Sequence, residues 1–283
     1  MPSFRAQRLR RALRTKLQRA IQEVVGPLHA AQMRELESLR QEVSKLRGQL
    51  AHERALVQSI AERVIDQTNA FEIRSRRDIC YAGDAQAARE SAEFARDHLA
   101  GARQFGHPHA TLEYALSLAP RGGMALEFGV YTGTTLKIIA TARQGGKVYG
   151  FDSFKGLPEH WRAGFAAGTF ATETVPEVPG AELVAGWFDE VLPGFMETHP
   201  GPVDFLHIDA DLYSSAATVL NLVGPRLRQG SVVVFDEFFN YPGWQEHEYR
   251  AWTEYVERTG IAFRYEAFTF DDEQVVVTLT SLP

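Results

Sequence analysis

One cysteine, Cys80, is present in 283 residues. A lone thiol cannot close a disulfide within the chain, nor can it supply the paired thiolates of a structural zinc site. Its expected place is a small core residue, and a reducing, cytoplasmic setting fits it. No run approaches the roughly 18 apolar residues of a membrane span. No apolar stretch follows the first arginines, so no secretory leader is expected. Internal repeats and low-complexity tracts are also missing, and no acid precedes Glu23. These absences exclude a membrane-spanning protein, a disulfide scaffold and a repeat array.

What is present is a globular composition, 45% apolar and 11% aromatic, with room for one large domain and an appendage. The net charge of −6 conceals two parts: residues 1–77 hold 16 Lys/Arg against 8 Asp/Glu, and residues 78–283 hold 14 against 28. Within residues 4–25, seven basic residues precede the first acid while Leu9, Leu13, Leu17, Ile21 and Val24 recur at helical spacing. This is a basic amphipathic helix, suited to weak contact with an anionic membrane surface or to packing on a neighbour. Gly26-Pro27 is expected to end it. From Leu36 the spacing changes. Leu36, Leu39, Val43, Leu46, Leu50, Val57, Ile60 and Val64 step by three and four, with Glu53 the polar exception. About four heptads of such a seam predict a coiled coil and a homodimer or higher homo-oligomer; the alternative is a long helix folded back on the domain. Residues 74–77 read as a linker.

Residues 78–283 alternate strand and helix patterns, which predicts an α/β fold with a mostly parallel sheet. Helices over 84–119 come first. Residues 124–126 then form a short apolar strand ending in Glu127, a loop follows with Gly129 and Gly133, and 134–143 reads as a helix. Strand, glycine loop and helix make the first unit of a nucleotide-binding sheet. Tyr131 stands where a dinucleotide fingerprint needs a second glycine, so a nicotinamide dehydrogenase fails on the spacing. An acid before the loop suits a cationic ligand, and S-adenosylmethionine carries a positive amino group and sulfonium. Further strands are expected at 147–151, 182–185, 203–208 and 231–235, then a helix over 244–258 and a terminal hairpin of 262–268 and 274–280.

Polar residues gather where these strands end, which is where ligands of such sheets bind. Asp152 follows Gly129 by 23 residues and can accept ribose hydroxyls. Trp187 and Phe188 can cover an adenine ring or pack in the core. Asp209, Asp211, Asp236 and Glu237 bring four carboxylates to one edge from neighbouring strands. Clustered carboxylates resist ionisation unless a cation joins them, and oxygen ligands suit Mg²⁺; general acid/base work by a carboxylate pair without metal is the alternative. His247 is a candidate base at the start of the late helix.

The stretches Glu127-Phe-Gly-Val-Tyr-Thr-Gly133, Gly150-Phe-Asp-Ser-Phe-Lys-Gly-Leu-Pro-Glu159, Gly186-Trp-Phe188 and His207-Ile-Asp-Ala-Asp-Leu-Tyr213 resemble the macrocin O-methyltransferase (TylF-like) family. The resemblance covers roughly residues 105–280. It implies a class I methyltransferase Rossmann-like sheet with an antiparallel C-terminal hairpin edge, preceded here by a helical, partly coiled-coil extension. It implies Mg²⁺-dependent O-methylation of a sugar or related hydroxyl on a natural product. Cofactor contacts would fall on Glu127, Gly129, Tyr131, Thr132, Gly133, Thr135, Asp152, Ser153, Trp187 and Phe188. Metal ligands would be Asp209, Asp236 and Glu237, the last in place of a frequent aspartate, and Asp209 or His247 would take the proton. A small-molecule hydroxyl acceptor is expected and no nucleic acid. The competing readings are a metal-independent methyltransferase with another small acceptor and an inactive coiled-coil scaffold.

Overall fold

The computed structural model describes residues 4–282, with side chains from Gln7 onward. Residues 1–3 and 283 of the two expected parts, and the side chain of Arg5 in the basic segment, lie outside the described residues. The chain forms two compact units, Met1–Arg77 and Asp78–Pro283. No described helix is long and apolar enough to cross a membrane.

The first unit is one helix, α1 (Phe4–Arg77). It runs through Pro27, so the break expected there does not occur. Proline removes one backbone hydrogen bond and crowds the carbonyl four residues earlier, but from Gln7 onward this helix is exposed except at the half-buried Gly26, so water can take the freed carbonyl. Residues 74–77 are helical as well, not a linker. The apolar stripe from Leu36 to Val64 is exposed in the single chain. The chain leaves α1 at Asp78, which caps the next helix, α2 (Ile79–His98): its Oδ1 accepts from the backbone N–H groups of Cys80 and Tyr81 at 3.0 and 3.2 Å. Cys80 is exposed rather than in the core, because the first turn of α2 faces outward.

The second unit is built on eight strands: β1 (Arg103–Phe105), β2 (Met124–Phe128), β3 (Lys147–Asp152), β4 (Glu182–Ala185), β5 (Val203–Ile208), β6 (Leu227–Phe235), β7 (Ala262–Thr269) and β8 (Val275–Ser281). They form one sheet in the order β1-β7-β8-β6-β5-β2-β3-β4. All neighbours are parallel except β8, which runs antiparallel to β6 and β7. The edge strand β1 was not expected: three residues within a predicted helical stretch carry no period-two signal, and pairing with β7 alone makes them a strand.

Side-chain alternation splits the core into two layers. Met124, Leu126 and Phe128 of β2, with Leu206 and Ile208 of β5, pack beneath α5 (Phe188–Thr198), α6 (Tyr213–Val223) and α7 (Glu248–Thr259). Ala125, Val148, Phe205 and Val234 face α3 (Pro108–Leu118) and α4 (Thr134–Ala142). Both faces of the sheet are thereby covered, which is why its central strands are apolar at nearly every position. The helix expected over 244–258 divides into a 3₁₀ turn, Trp244–Glu246, and α7.

Candidate active site

Strand order reverses between β2 and β5, so the connections leaving these strands part and open a crevice at their carboxyl ends. A cavity of about 590 Å³ lies there, within the range of roughly 300–1,000 Å³ typical of small-molecule sites. From the β2–β4 side its wall includes Gly129, Tyr131, Asp152, Ser153, Trp187 and Phe188. From the β5–β6 side it includes Asp209, Asp211 and Glu237. Asp152, Asp209, Asp211 and Glu237, expected at separate strand ends, therefore share one chamber, while Asp236 does not line it.

Backbone bonds continue past the strands and hold the chamber's floor. The N–H groups of Gly129, Asp209 and Asp236 donate to the carbonyls of Phe151, Phe128 and Ile208, each at 2.9 Å. Gly129 cannot carry a side chain: its φ is +93°, and a Cβ would stand 1.7 Å from the carbonyl oxygen of Asp209. The Asp152 carboxylate braces the glycine loop. Its Oδ2 accepts from the N–H groups of Val130 (2.9 Å) and Tyr131 (2.8 Å), and its Oδ1 from Phe154 (2.7 Å). A carboxylate has about four lone-pair sites, so room remains for a ribose hydroxyl, although loop bracing is its principal work. Trp187 precedes α5 with Lys155 Nζ 5.9 Å from its ring centre, and Phe188 packs edge-on against Phe128 at 5.2 Å.

The other expected cofactor residues, Glu127, Thr132, Gly133 and Thr135, do not line the cavity. Glu127 is not at the strand end but inside β2, fully buried, and it faces α4. The sheet register sets it beside His207, whose Nδ1 lies 2.9 Å from Glu127 Oε1. Thr135, at the start of α4, also acts on the Glu127 carboxylate. The hydroxyl of Thr132 bonds to Thr134 at 3.3 Å, and Gly133 caps α4 in a left-handed conformation against Val178.

The electrostatics of the chamber follow from burial. His207 Nε2 stands 3.6 Å from Asp236 Oδ1, so a buried imidazole bridges two carboxylates. Burial works to lower the His207 pKa, but Asp236 and Glu127 outweigh it and hold the group well above its ordinary value. Burial likewise works to raise Asp236, and His207 overrides it, leaving Asp236 below its usual range. For Asp209 the attraction of His207 is not enough to offset burial, and Glu237 has no cationic partner. Burial first, then the neighbouring carboxylates, push both well upward. Asp211, at φ +59° in a left-handed backbone conformation, is raised to about 7, chiefly by burial.

The carboxylates of this cluster suit a divalent cation, while the His207 imidazole, with both nitrogens turned to carboxylates, is engaged with them instead. Ligand atoms of His207, Asp209 and Asp236 lie within 4.8 Å of one another. Glu237, expected as the third ligand, stands beside that group at the cavity wall, and its buried Oε2 has no hydrogen-bond partner. A cation would offset the mutual repulsion that raises these carboxyls. His247 does not line the cavity. Its half-buried ring packs near Tyr241 and Trp161, at 6.0 and 6.4 Å between centres, and burial lowers its pKa.

Three supporting residues carry no role in the sequence reading. His207 stood in a recognised stretch, but only the β2–β5 register reveals its partner. Glu248, fully buried in the first turn of α7, accepts from the N–H groups of Ala210 (3.3 Å) and Glu237 (3.1 Å) and so ties the loops after β5 and β6 together. Arg162 lies over Trp161 and Tyr241, at 3.9 and 4.6 Å from their ring centres, and pairs with Glu273 at 3.0 Å. That contact pins the loop after β3 to the β7–β8 hairpin.

Residues 126–238 match the family described as a methyltransferase domain. The match begins in β2 and ends just beyond β6, so it spans the five strands whose ends form the cavity. Solved structures of similar shape include CalS11, a calicheamicin methyltransferase, 26% identical over 54% of this chain and 72% of its own, with a TM-score of 0.44. The O-methyltransferase NovP is 21% identical over 61% and 79%, with a TM-score of 0.48. TomG from Streptomyces achromogenes, an O-methyltransferase involved in tomaymycin synthesis and solved with S-adenosylmethionine, is 16% identical over 70% and 90%, with a TM-score of 0.39. No curated protein matches the chain. The family match thus covers 113 of the 283 residues, under half of the chain.

Proposed function

We propose that this methyltransferase domain moves a methyl group from S-adenosylmethionine to a hydroxyl oxygen, with Mg²⁺ held by Asp209, Asp236 and Glu237 and with His207 at the same cluster. The proposed acceptor is a sugar or a glycosylated natural product, on the resemblance of residues 127–133, 150–159, 186–188 and 207–213 to macrocin O-methyltransferases. One observation carries the reading: Gly129, Asp152, Trp187, Asp209, Asp211 and Glu237 all line a single cavity.

When bound, S-adenosylmethionine supplies a methyl group already activated by its sulfonium, and the cation supplies positive charge beside the acceptor oxygen. The rest is the work of this chain. Gly129 lets the β2 loop lie flat against Asp209, and Asp152 holds that loop in place. Trp187 and Phe188 offer apolar surface to an adenine. Asp209 takes the acceptor's proton at a carboxylate oxygen. His247, which does not line the cavity, is given no part in this step. Since the methyl group is already activated, holding donor and acceptor in line supplies much of the rate.

The test is a methyl-transfer assay on a panel of glycosides and phenols, with Mg²⁺ added or chelated. Turnover on glycosides that chelator abolishes and Mg²⁺ restores is the expected result. Full turnover in chelator would replace the metal reading with a metal-independent methyltransferase. No thermal shift with S-adenosylmethionine would favour the scaffold.

A further inference from the structure

We propose that α1 forms a parallel, in-register, two-stranded coiled coil with a second copy of this chain. The inference does not depend on the catalytic reading, because it rests on residues of α1 alone. Place Leu36, Val43, Leu50, Val57 and Val64 at heptad position a, and Leu39, Leu46, Glu53 and Ile60 at position d. The stripe then spans 29 residues, about 43 Å at 1.5 Å per residue. Its apolar members are all exposed in the single chain, from 43% at Ile60 to 65% at Val57. A helix this long with such a stripe has an unburied seam. β-Branched residues at three of the five a positions, with Leu at two of the d positions, favour two strands in a parallel pair.

The flanks select the partner and its direction. Position g holds Glu35, Glu42, Gln49 and Leu56; position e holds Arg40, Arg47, Arg54 and Ala61. A parallel, in-register pair sets each g residue against the partner's e residue five positions later. Glu35 then meets Arg40, Glu42 meets Arg47, Gln49 meets Arg54, and Leu56 meets Ala61. No like-charge pair arises on these flanks, and the last contact widens the apolar seam. An antiparallel pair sets e against e, bringing Arg40, Arg47 and Arg54 into a single repelling flank. Among the described residues, Glu35, Arg40, Glu42 and Arg47 make no ion pair within their own helix. Their charges are thus unspent in the single chain. Exposed pairs of this kind add little affinity each, so apolar burial drives association while the charges set direction and register. Glu53 is the exception in the seam. In the parallel pair it faces the partner's Glu53 and borders the partner's Arg54, which offsets that like-charge contact at some cost in apolar burial.

Light scattering of the full chain should give twice the chain mass at micromolar concentration. In a Cys80→Ser background, Leu39→Cys and Ile60→Cys should each cross-link to itself under mild oxidation, because every seam residue faces its own counterpart within disulfide reach. Leu46→Lys with Leu50→Lys should yield a monomer. Glu35→Arg with Glu42→Arg should weaken the dimer at least tenfold, and Glu53→Leu should strengthen it. A monomeric wild type, a trimer, a dimer that survives the lysine pair, or a dimer in which neither cysteine links to itself would each overturn the proposal.

Discussion

His207→Leu isolates the interaction buried deepest behind the active site. Wild-type His207 lies 2.9 Å from Glu127, and the two side chains are 1% and 0% exposed. Leucine fills a similar volume but leaves the Glu127 carboxylate in a dry layer without its main partner. Removing one member of a buried pair costs about 3–5 kcal/mol, because the other charge stays buried and uncompensated. For a unit of this size, about 2–4 °C of Tm accompany each kcal/mol, so a fall of about 6–20 °C is expected. Glu127→Leu with His207→Leu removes both polar groups together and should cost less than the two single changes summed. A coupling of at least about 1 kcal/mol is expected, within the usual span for residues in contact. All four tryptophans, Trp161, Trp187, Trp244 and Trp252, lie in the second unit. Urea unfolding followed by tryptophan fluorescence therefore reports this unit without interference from α1. A loss under about 1 kcal/mol for His207→Leu, or single effects that simply add, would refute the pairing as a structural link.

Asp209→Ala and Asp236→Ala should each lower turnover by at least about a thousandfold while S-adenosylmethionine affinity, measured by calorimetry, changes less than about threefold; wild-type-like turnover in either would remove the metal reading. Trp187→Ala should weaken S-adenosylmethionine binding by about tenfold, the equivalent of one lost aromatic stacking contact of about 1.4 kcal/mol, and unchanged affinity would place the indole outside the cofactor site. Burial depresses the His247 pKa below its ordinary value of 6.5, so the unfolded chain binds that proton more readily. Its contribution is present above about pH 6.5 and is lost as pH falls through the folded pKa; wild type should therefore lose stability relative to His247→Gln between about pH 7 and 5, and parallel pH curves would contradict this. Gly129→Ala should abolish S-adenosylmethionine binding and lower Tm, since its Cβ would meet the Asp209 carbonyl oxygen at 1.7 Å, and a fully folded, binding-competent variant would show that the loop can move.

The strand pattern was legible because each signal was local. Residues 182–185 and 203–208 are strands in the structure within the limits their apolar runs suggested. Gly129 and the acids after each strand marked the binding edge because turn chemistry is written in single residues. Pro27 misled for the opposite reason. A proline's penalty is local, but whether a helix tolerates it depends on what lies on either side and on access to water. The three-residue β1 left no local trace at all.

Sequence by itself determined the central strands, most of the helices, and most of the polar residues that gather at one edge of the sheet. The reason is that period, turn residues and strand ends act over a few positions. Only the tertiary structure decided what each acid does there. Register placed Glu127 beside His207, 80 positions away, so an acid expected to meet a ligand became the partner of a buried histidine. Packing turned Asp152 into the brace of the glycine loop and brought Glu248 from α7 beneath two loops it does not adjoin in the chain. Such roles depend on which groups share a buried volume, and that is set by how strands align across the sheet rather than by order along the chain.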